Sequence, residues 1–400
     1  MLDAYIYDGL RSPFGRSAGS LAGIRPDDLL ADVIRALLAR GNLAGTDIDD
    51  VIIGCGNQAG EDSRCVARHA ALLAGLPVEV PGTVIQRNCG SGLGAIISSA
   101  HALTAGEADA VLTGGVESMS RSPFVIAKSS RPYDRKINWY DSAVGPRFPN
   151  PKLEAEFGSD SMPQTADNMA LEQEITREDV DAFALRSQQG WAKAQASGFF
   201  TNELTPITIP GGRGRADTTL DTDEHPRAQT DAETLAKLPA ISKNGVTTAG
   251  NASGLNDGAV AMVMGSKSAV DKIGQKPIAR VLASAVAGVP PRIMGFGPVP
   301  ASQKALKRAG LSLSDMAVIE INEAFSAQTL GCLKGLGVAF DDDRVNPNGG
   351  AIALGHPLGA SGPRIALTAI HETRRRGGKY ALVSMCIGMG QGIAIVLEVL

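Results

Sequence analysis

No stretch of this 400-residue chain reaches the roughly 18 consecutive apolar residues that suggest a membrane-spanning helix. Positive charge is not in excess either. Lys and Arg number 38 against 42 Asp and Glu, a formal charge of −4, which excludes a globally basic nucleic-acid binder. The five cysteines, Cys55, Cys65, Cys89, Cys332 and Cys386, form no Cys-x-x-Cys pair and no zinc-like spacing. An odd number of thiols with no export signal argues for reduced cysteines, so neither a disulfide frame nor a metal site is expected. The start, Met1-Leu2-Asp3-Ala4-Tyr5-Ile6-Tyr7, reads as a strand and not as a basic segment leading into an apolar one. The end, Leu397-Glu398-Val399-Leu400, carries no peroxisomal address, and the expected location is cytoplasmic. What is left, at 44% hydrophobic and 20% charged residues, is the composition of a globular protein large enough for two or three domains.

Within that composition Cys89 stands out. It lies between a β-branched run, Thr83-Val84-Ile85, and a glycine-studded helix start, Gly90-Ser91-Gly92-Leu93-Gly94. Leu93, Ile96, Ile97, Ala100 and Leu103 recur at helical spacing, and Gly106 can stop the helix. A thiol at a first helical turn lies beside unpaired N–H groups and the positive end of the dipole, which favours the nucleophilic thiolate. Two blander readings compete with this one. A lone cysteine is more often an inert core residue. Gly90, Gly92 and Ala95 also fit a relaxed dinucleotide fingerprint, which wants an acidic residue at the end of the next strand. With that strand read as Ala110 to Thr113, Asp109 stands at its start and Glu117 beyond its end, so the fingerprint fits poorly.

The two ends of the chain read as versions of one unit. Near the N-terminus a helix pattern from Leu29 to Leu38 leads to a strand ending at Gly54; near the C-terminus Ala301 to Arg308 leads to one ending near Asn322. Each half then offers a glycine-rich turn, a helix, a strand and more glycines: the Cys89 turn with Gly114-Gly115, and His356-Pro357-Leu358-Gly359 with Cys386. This order implies a duplicated α/β fold. Residues 121 to 251 differ, being polar and Pro-rich, with one clear helix from Arg177 to Gln195 and turns at Gly211-Gly212-Arg213-Gly214 and Asp221-Thr222-Asp223. The division expected is an N-terminal half of residues 1–120 plus about 252–270, a loop domain of 121–251, and a C-terminal half of 271–400. Loops on a rigid scaffold carry specificity, so ligand selection is expected in the insertion. Its stretch from Lys128 to Lys152, with Arg131, Arg135, Lys136 and Arg147, is basic enough to meet an anionic ligand.

Asn322-Glu323-Ala324-Phe325 follows an apolar strand, and ligands of open α/β sheets bind at such carboxyl ends. Gly355-His356-Pro357-Leu358-Gly359-Ala360-Ser361-Gly362 sets a lone His before a helix, and Cys386-Ile387-Gly388-Met389-Gly390 follows a strand read as Tyr380 to Met385. Each alone reads as a capping Asn, a satisfied His or a buried Cys. Together with Asn88-Cys89-Gly90-Ser91-Gly92 they resemble the four signature blocks of the thiolases. The resemblance extends to Gly114 through Ser120 and to Thr248 through Gly258, and so runs nearly end to end.

That resemblance implies a five-layered αβαβα fold of two similar halves with an inserted loop domain, assembled as a homotetramer of tight dimers. It implies an acyltransferase in which Cys89 attacks the 3-keto carbon of a 3-oxoacyl-CoA while His356 takes its proton, the logic of an activated nucleophile. His356, and a water held by Asn322, would stabilise the acetyl-CoA enolate. Cys386 would protonate that enolate and deprotonate incoming CoA, a task suited to a thiol of pKa roughly 8.5. The N–H groups of Cys89 and Gly388 would form a second oxyanion hole, with Gly388 suited to an irregular backbone. CoA or acetyl-CoA enters as substrate, with no resident cofactor. Ser253 matches the family's pantetheine-contacting serine, Arg227 a CoA-contacting arginine, and Met162 and Phe325 the apolar contacts that line the pantetheine and acyl tunnel.

Asp160 through Ala166, the Asp223-Glu224-His225 run and Arg344 through Gly350 are most similar to the 3-oxoadipyl-CoA branch of the family. That substrate ends in a carboxylate, for which Arg147 is the candidate partner. Pro146 stands where the branch usually has Trp. Ser161-Met162 stands where many short-chain biosynthetic members have His-Met, which weighs against an acetoacetyl-CoA thiolase. A broad 3-ketoacyl-CoA thiolase, a decarboxylating condensing enzyme and a non-catalytic acyl-CoA-binding protein are the remaining alternatives.

Overall fold

The computed structural model describes residues 2–212 and 214–400. Met1 and Arg213, the latter within the expected Gly211–Gly214 turn, lie outside the described residues. Nine strands form the main path of a ten-stranded sheet: β1 (Tyr5–Arg11), β2 (Asp50–Gly54), β3 (Gly82–Ile85), β4 (Ala110–Ser118), β5 (Asn256–Gly265), β6 (Ala279–Gly288), β7 (Met316–Ile321), β8 (Tyr380–Ile387) and β9 (Gln391–Val399). Their order is β7-β8-β9-β6-β1-β5-β4-β2-β3, and a two-residue strand, Gly15–Arg16, pairs with β5 off this path. The halves meet where Tyr5 and Ile6 pair with Arg280 and Ala279.

Alternation along each strand sorts side chains into layers, because successive residues point to opposite faces. On β5, Ala259, Ala261 and Val263 pack with α1 (Pro26–Gly41) and α2 (Val66–Leu73) in one outer cluster. Val260, Met262 and Met264 face the other way, into a central cluster built around α3 (Ser91–Ala105). On β9, Ile393, Ile395 and Leu397 enter that same centre, together with α6 (Leu358–Arg375). Ala394 and Val396 point out toward α4 (Pro298–Ala309) and α5 (Ser326–Leu336). Helix, sheet, helix, sheet, helix is the five-layered αβαβα arrangement expected. The two central helices approach closely at Gly92, where a Cβ would stand 2.2 Å from Gly359 O and 2.3 Å from the Pro363 ring. Only glycine fits there.

A bulge falls at the same point in each half: between Ile6 and Asp8 opposite Met264 and Val263, and between Val281 and Ala283 opposite Leu397 and Val396. Carrying the register across from these bulges matches Gly54 with Asn322, Val116 with Cys386, Glu117 with Ile387 and Ser118 with Gly388. Cys89 and His356 correspond as well, each two residues before its helix. The duplication expected from the pattern is therefore present in the hydrogen-bond register itself.

Three expectations need correction. β4 runs to Ser118 and β8 to Ile387, so Glu117 and Cys386 lie inside strands and not after them. The insertion has more helix than its composition implied. Met162–Glu172 starts at a capping box formed by Ser161 and Gln164, and packs Ala166 and Met169 onto the outer face of the C-terminal half. Asp223 is not just a turn residue: it is buried and holds both terminal nitrogens of the buried Arg11, at 2.6 and 2.9 Å.

Candidate active site

Cys89 sits in a turn braced from both sides. The Ser91 hydroxyl donates to Asn88 O at 2.6 Å and accepts from Arg87 N at 2.9 Å. This holds Asn88 in the left-handed region, φ +45°. Asn88 in turn reaches the other half, donating through Nδ2 to Gly388 O at 3.4 Å.

The sequence led us to expect a thiolate at Cys89. Burial instead pushes the thiol up to about 11, against the pull of the Gly388 N–H and helped by the charge of Glu117. The magnitudes explain the outcome. A helix terminus offers about 0.3–1 kcal/mol to a nearby charge, whereas withdrawing an ion from water costs several kcal/mol. Cys89 keeps some exposed surface, which a nucleophile needs.

His356 is buried, and its Nδ1 lies 2.6 Å from Ser361 Oγ. That hydroxyl donates its one hydrogen to Pro357 O at 3.0 Å, so Nδ1–H donates to Ser361 and Nε2 keeps its lone pair. Burial, and then the charge of Arg364, lower His356 to about 3. Asn322, fully buried, places Nδ2 3.4 and 3.5 Å from the two ring nitrogens, and its Oδ1 has no partner among the described residues. Among the described residues Cys89 and His356 share no hydrogen bond. At neutral pH the thiol and the imidazole are thus both neutral, with no ion pair between them.

Cys386 is buried, and its thiol is raised well above its ordinary range by burial and by the neighbouring Cys89 and Cys332. A thiol kept protonated in this way has a proton to give. Gly388 follows on the same strand end. It is not among the left-handed residues; Met389 (φ +68°) and Gly390 (φ +80°) are. Glycine at 388 therefore serves access and not conformation. A Cβ there would face Asn88 Nδ2 and the Met162 sulfur, each at 3.8 Å, so Met162 reaches this site.

Ser253 and Phe325 belong to the Asn322 turn: Ser253 N donates to Ala324 O at 3.0 Å, and Ala252 bridges Phe325. Arg227 is exposed and lies apart from the four chemical residues. It lines a cleft of about 550 Å³ with Arg16, Ser17, His225 and Gly254, the neighbour of Ser253. Arg147 donates to Asn57 O at 3.0 Å. That turn is flanked by the turns that carry Cys89 and His356: Gln86 donates to Gly56 O, and the Leu358 side chain lies 3.4 Å from where a Cβ on Gly56 would stand.

Sequence reasoning passed over the buried carboxylates. Glu117, pushed up to about 7 by burial, accepts the N–H groups of Gly56, Asn57 and Gly359, which leaves it unsuited to the ribose contact of a dinucleotide fold. Glu323, also raised by burial, binds Ser187, Asn346 and Ile352. The one available signal was a carboxylate inside an apolar strand or turn, as in Val116-Glu117-Ser118.

Residues 4–268 match the thiolase N-terminal domain, and residues 275–399 match the thiolase C-terminal domain. The chain belongs to the thiolase family. This thiolase is 56% identical to a beta-ketoadipyl-CoA thiolase of Acinetobacter baylyi, over 100% of both chains. It is 54% identical, again over 100% of both, to a 3-oxoadipyl-CoA/3-oxo-5,6-dehydrosuberyl-CoA thiolase of Escherichia coli. Among solved structures it resembles the Bacillus anthracis acetyl-CoA acetyltransferase, with a TM-score of 0.93 and 40% identity over 100% of this chain and 99% of that one.

Proposed function

We propose that this acyltransferase cleaves 3-oxoadipyl-CoA with CoA to give succinyl-CoA and acetyl-CoA, and can run the reverse condensation. The observation that carries the chemistry is the meeting of the two halves at Cys89, where Asn88 Nδ2 donates to Gly388 O and the Gly388 N–H faces the Cys89 sulfur, with Asn322 against His356 within the C-terminal half. Substrate choice is supported by full-length identity of 54–56% to relatives named for beta-ketoadipyl-CoA or 3-oxoadipyl-CoA, and by the cationic Arg147 beside the catalytic turns.

In this reading His356 Nε2 takes the Cys89 proton as sulfur adds to the keto carbon. The C2–C3 bond then breaks. Cys386 delivers its proton to C2 of the enolate, whose oxygen is held by His356 and by a water on Asn322. Acetyl-CoA leaves, and the CoA thiol returns a proton to Cys386 as its sulfur attacks acyl-Cys89. The N–H groups of Cys89 and Gly388 receive the second oxyanion. Cys89 sulfur departs and recovers its proton from His356.

The insertion of 121–251 would act as the loop domain over CoA, with Ser253, Arg227, Met162 and Phe325 as contacts. A homotetramer in the cytoplasm is the expected working form. Phe124, Ile126 and Trp139, exposed on one small hairpin, are the kind of apolar patch such assembly covers.

Steady-state thiolysis tests the reading. Turnover of 3-oxoadipyl-CoA should exceed that of acetoacetyl-CoA and of long-chain 3-oxoacyl-CoAs by about tenfold or more in kcat/KM, the worth of one charge-assisted contact. Equal efficiencies would remove the substrate assignment. Acyl-CoA binding without CoA-dependent cleavage would leave a binding protein.

A further inference from the structure

Glu117 and Ile387 occupy matching positions, and each reaches across to the other half's helix start. Ile387 does so by packing: a Cβ on Gly90, next to Cys89, would lie 2.5 Å from its Cδ1. Glu117 does so by hydrogen bonding. Its Oε2 accepts from Gly56 N and Gly359 N, both at 2.9 Å, and its Oε1 from Asn57 N at 3.0 Å. Gly359 lies three residues past His356, in the first turn of α6, where N–H groups have no partner inside the helix. Four residues before His356, Ile352 N donates to Glu323 Oε2 at 3.2 Å. Glu323 is tied in turn by the Ser187 hydroxyl at 2.6 Å and by Asn346 Nδ2 at 2.8 Å. The segment carrying His356 is therefore held on both sides by buried carboxylates.

We propose that Glu117 is a positioning residue for His356, anchoring the downstream end of its turn while Glu323 anchors the upstream end. An apolar side chain at 117, as its counterpart has, would leave three buried N–H groups without a partner. A carboxylate satisfies all three and suits the positive helix terminus. Asp62 and Cys55 also present ligand atoms within 4.8 Å of those of Glu117, but the three backbone donors already hold the carboxylate. What the arrangement sets is the location of the imidazole, in a reaction where misplacement by about 1 Å can cost on the order of 100-fold.

The inference rests on His356 as the base, so the experiment keeps the two claims apart. Glu117→Gln, His356→Ala and the double variant are compared in steady-state thiolysis, with circular dichroism confirming the fold. Glu117→Gln should lower kcat about 10–100-fold, the cost of displacing the imidazole by up to about 1 Å, while KM moves less than about threefold. In the His356→Ala background the same change should lower residual turnover no further. Wild-type kcat in Glu117→Gln with an inactive His356→Ala overturns the positioning role alone. Wild-type kcat in His356→Ala overturns the reading beneath it. A loss that recurs undiminished in the double variant shows that Glu117 acts elsewhere, and also overturns the proposal. Should Glu117→Gln not fold, Glu117→Asp and Glu323→Gln are read by the same criteria.

Discussion

Strand for strand, the half carrying Cys89 and the half carrying His356 follow one path down to the bulge, yet their matching positions differ in chemistry. Cys89 and His356 stand at the same place before their helices, one offering a thiol and the other an imidazole. Cys386 matches Val116, and Asn322 matches Gly54, so the C-terminal half carries side chains at two strand ends where the N-terminal half is apolar or bare. The N-terminal half keeps Glu117, which the C-terminal half replaces with Ile387. The duplicated scaffold thus fixes where chemistry can sit, and side-chain choice decides which half performs it.

The sharpest break in that comparison comes at the two helix starts. Cys89→Ser should lower turnover by on the order of 10⁴-fold or more, because an alcohol there is a far weaker nucleophile. Mass spectrometry should find no acyl group on the intact variant after exposure to 3-oxoacyl-CoA. Acylation at wild-type level would show that the nucleophile lies elsewhere.

The next comparison is between Cys386 and its match. Cys386→Ala should spare alkylation of Cys89 and slow both half-reactions by about 10²–10⁴-fold, the usual worth of a positioned acid–base group. Val116→Ala should leave turnover per folded molecule unchanged and cost about 1–3 kcal/mol of stability in denaturant melts, as a cavity does. Equal losses of turnover in the two variants would mean that position 386 matters for packing alone.

Acidity separates a buried thiol from one activated by its helix. Because Cys89 is raised to about 11, the thiol form dominates at neutral pH. Iodoacetamide labelling of the free enzyme should then climb about tenfold per pH unit from pH 8 toward 11. The same shift gives the sign for stability. Between the ordinary thiol range and 11 the unfolded chain loses a proton that the folded chain keeps, so stability falls as pH rises there. A labelling rate already level by pH 8 would restore the thiolate expected from sequence.

How legible these features were depends on where each residue sits. The turns were visible because Cys89, His356 and the glycines around them are unusual neighbours for apolar periodic runs. The ends of β4 and β8 were misplaced because strands covered on both faces lack the alternation that marks a boundary. The capping box at Ser161 and Gln164 was present in the letters, but the polar stretch around it masked the helix. Arg11 with Asp223, and Glu117 with Gly359, are joined across more than 200 residues, and no local pattern announces such pairs. The thiol acidity was misjudged for a related reason: the dipole is read from sequence, while burial is decided by everything packed around it.

The insertion is the one large segment with no mirror image, so specificity has to be tested there. Arg147 binds Asn57 O, and Asn57 N binds Glu117, which puts a guanidinium one turn away from the His356 anchor. Arg147→Met removes the charge and keeps much of the side-chain bulk. A charge-assisted hydrogen bond to the substrate carboxylate is worth about 1.5–3 kcal/mol, but the side chain is only half-buried and solvent screens it, so the loss expected is about tenfold. That loss should appear in kcat/KM for 3-oxoadipyl-CoA and be absent for acetoacetyl-CoA, which has no carboxylate to hold. Equal losses for both substrates would instead place Arg147 with Glu117 and Asn57 as a brace for the catalytic turns, and would send the search for the carboxylate partner to another residue.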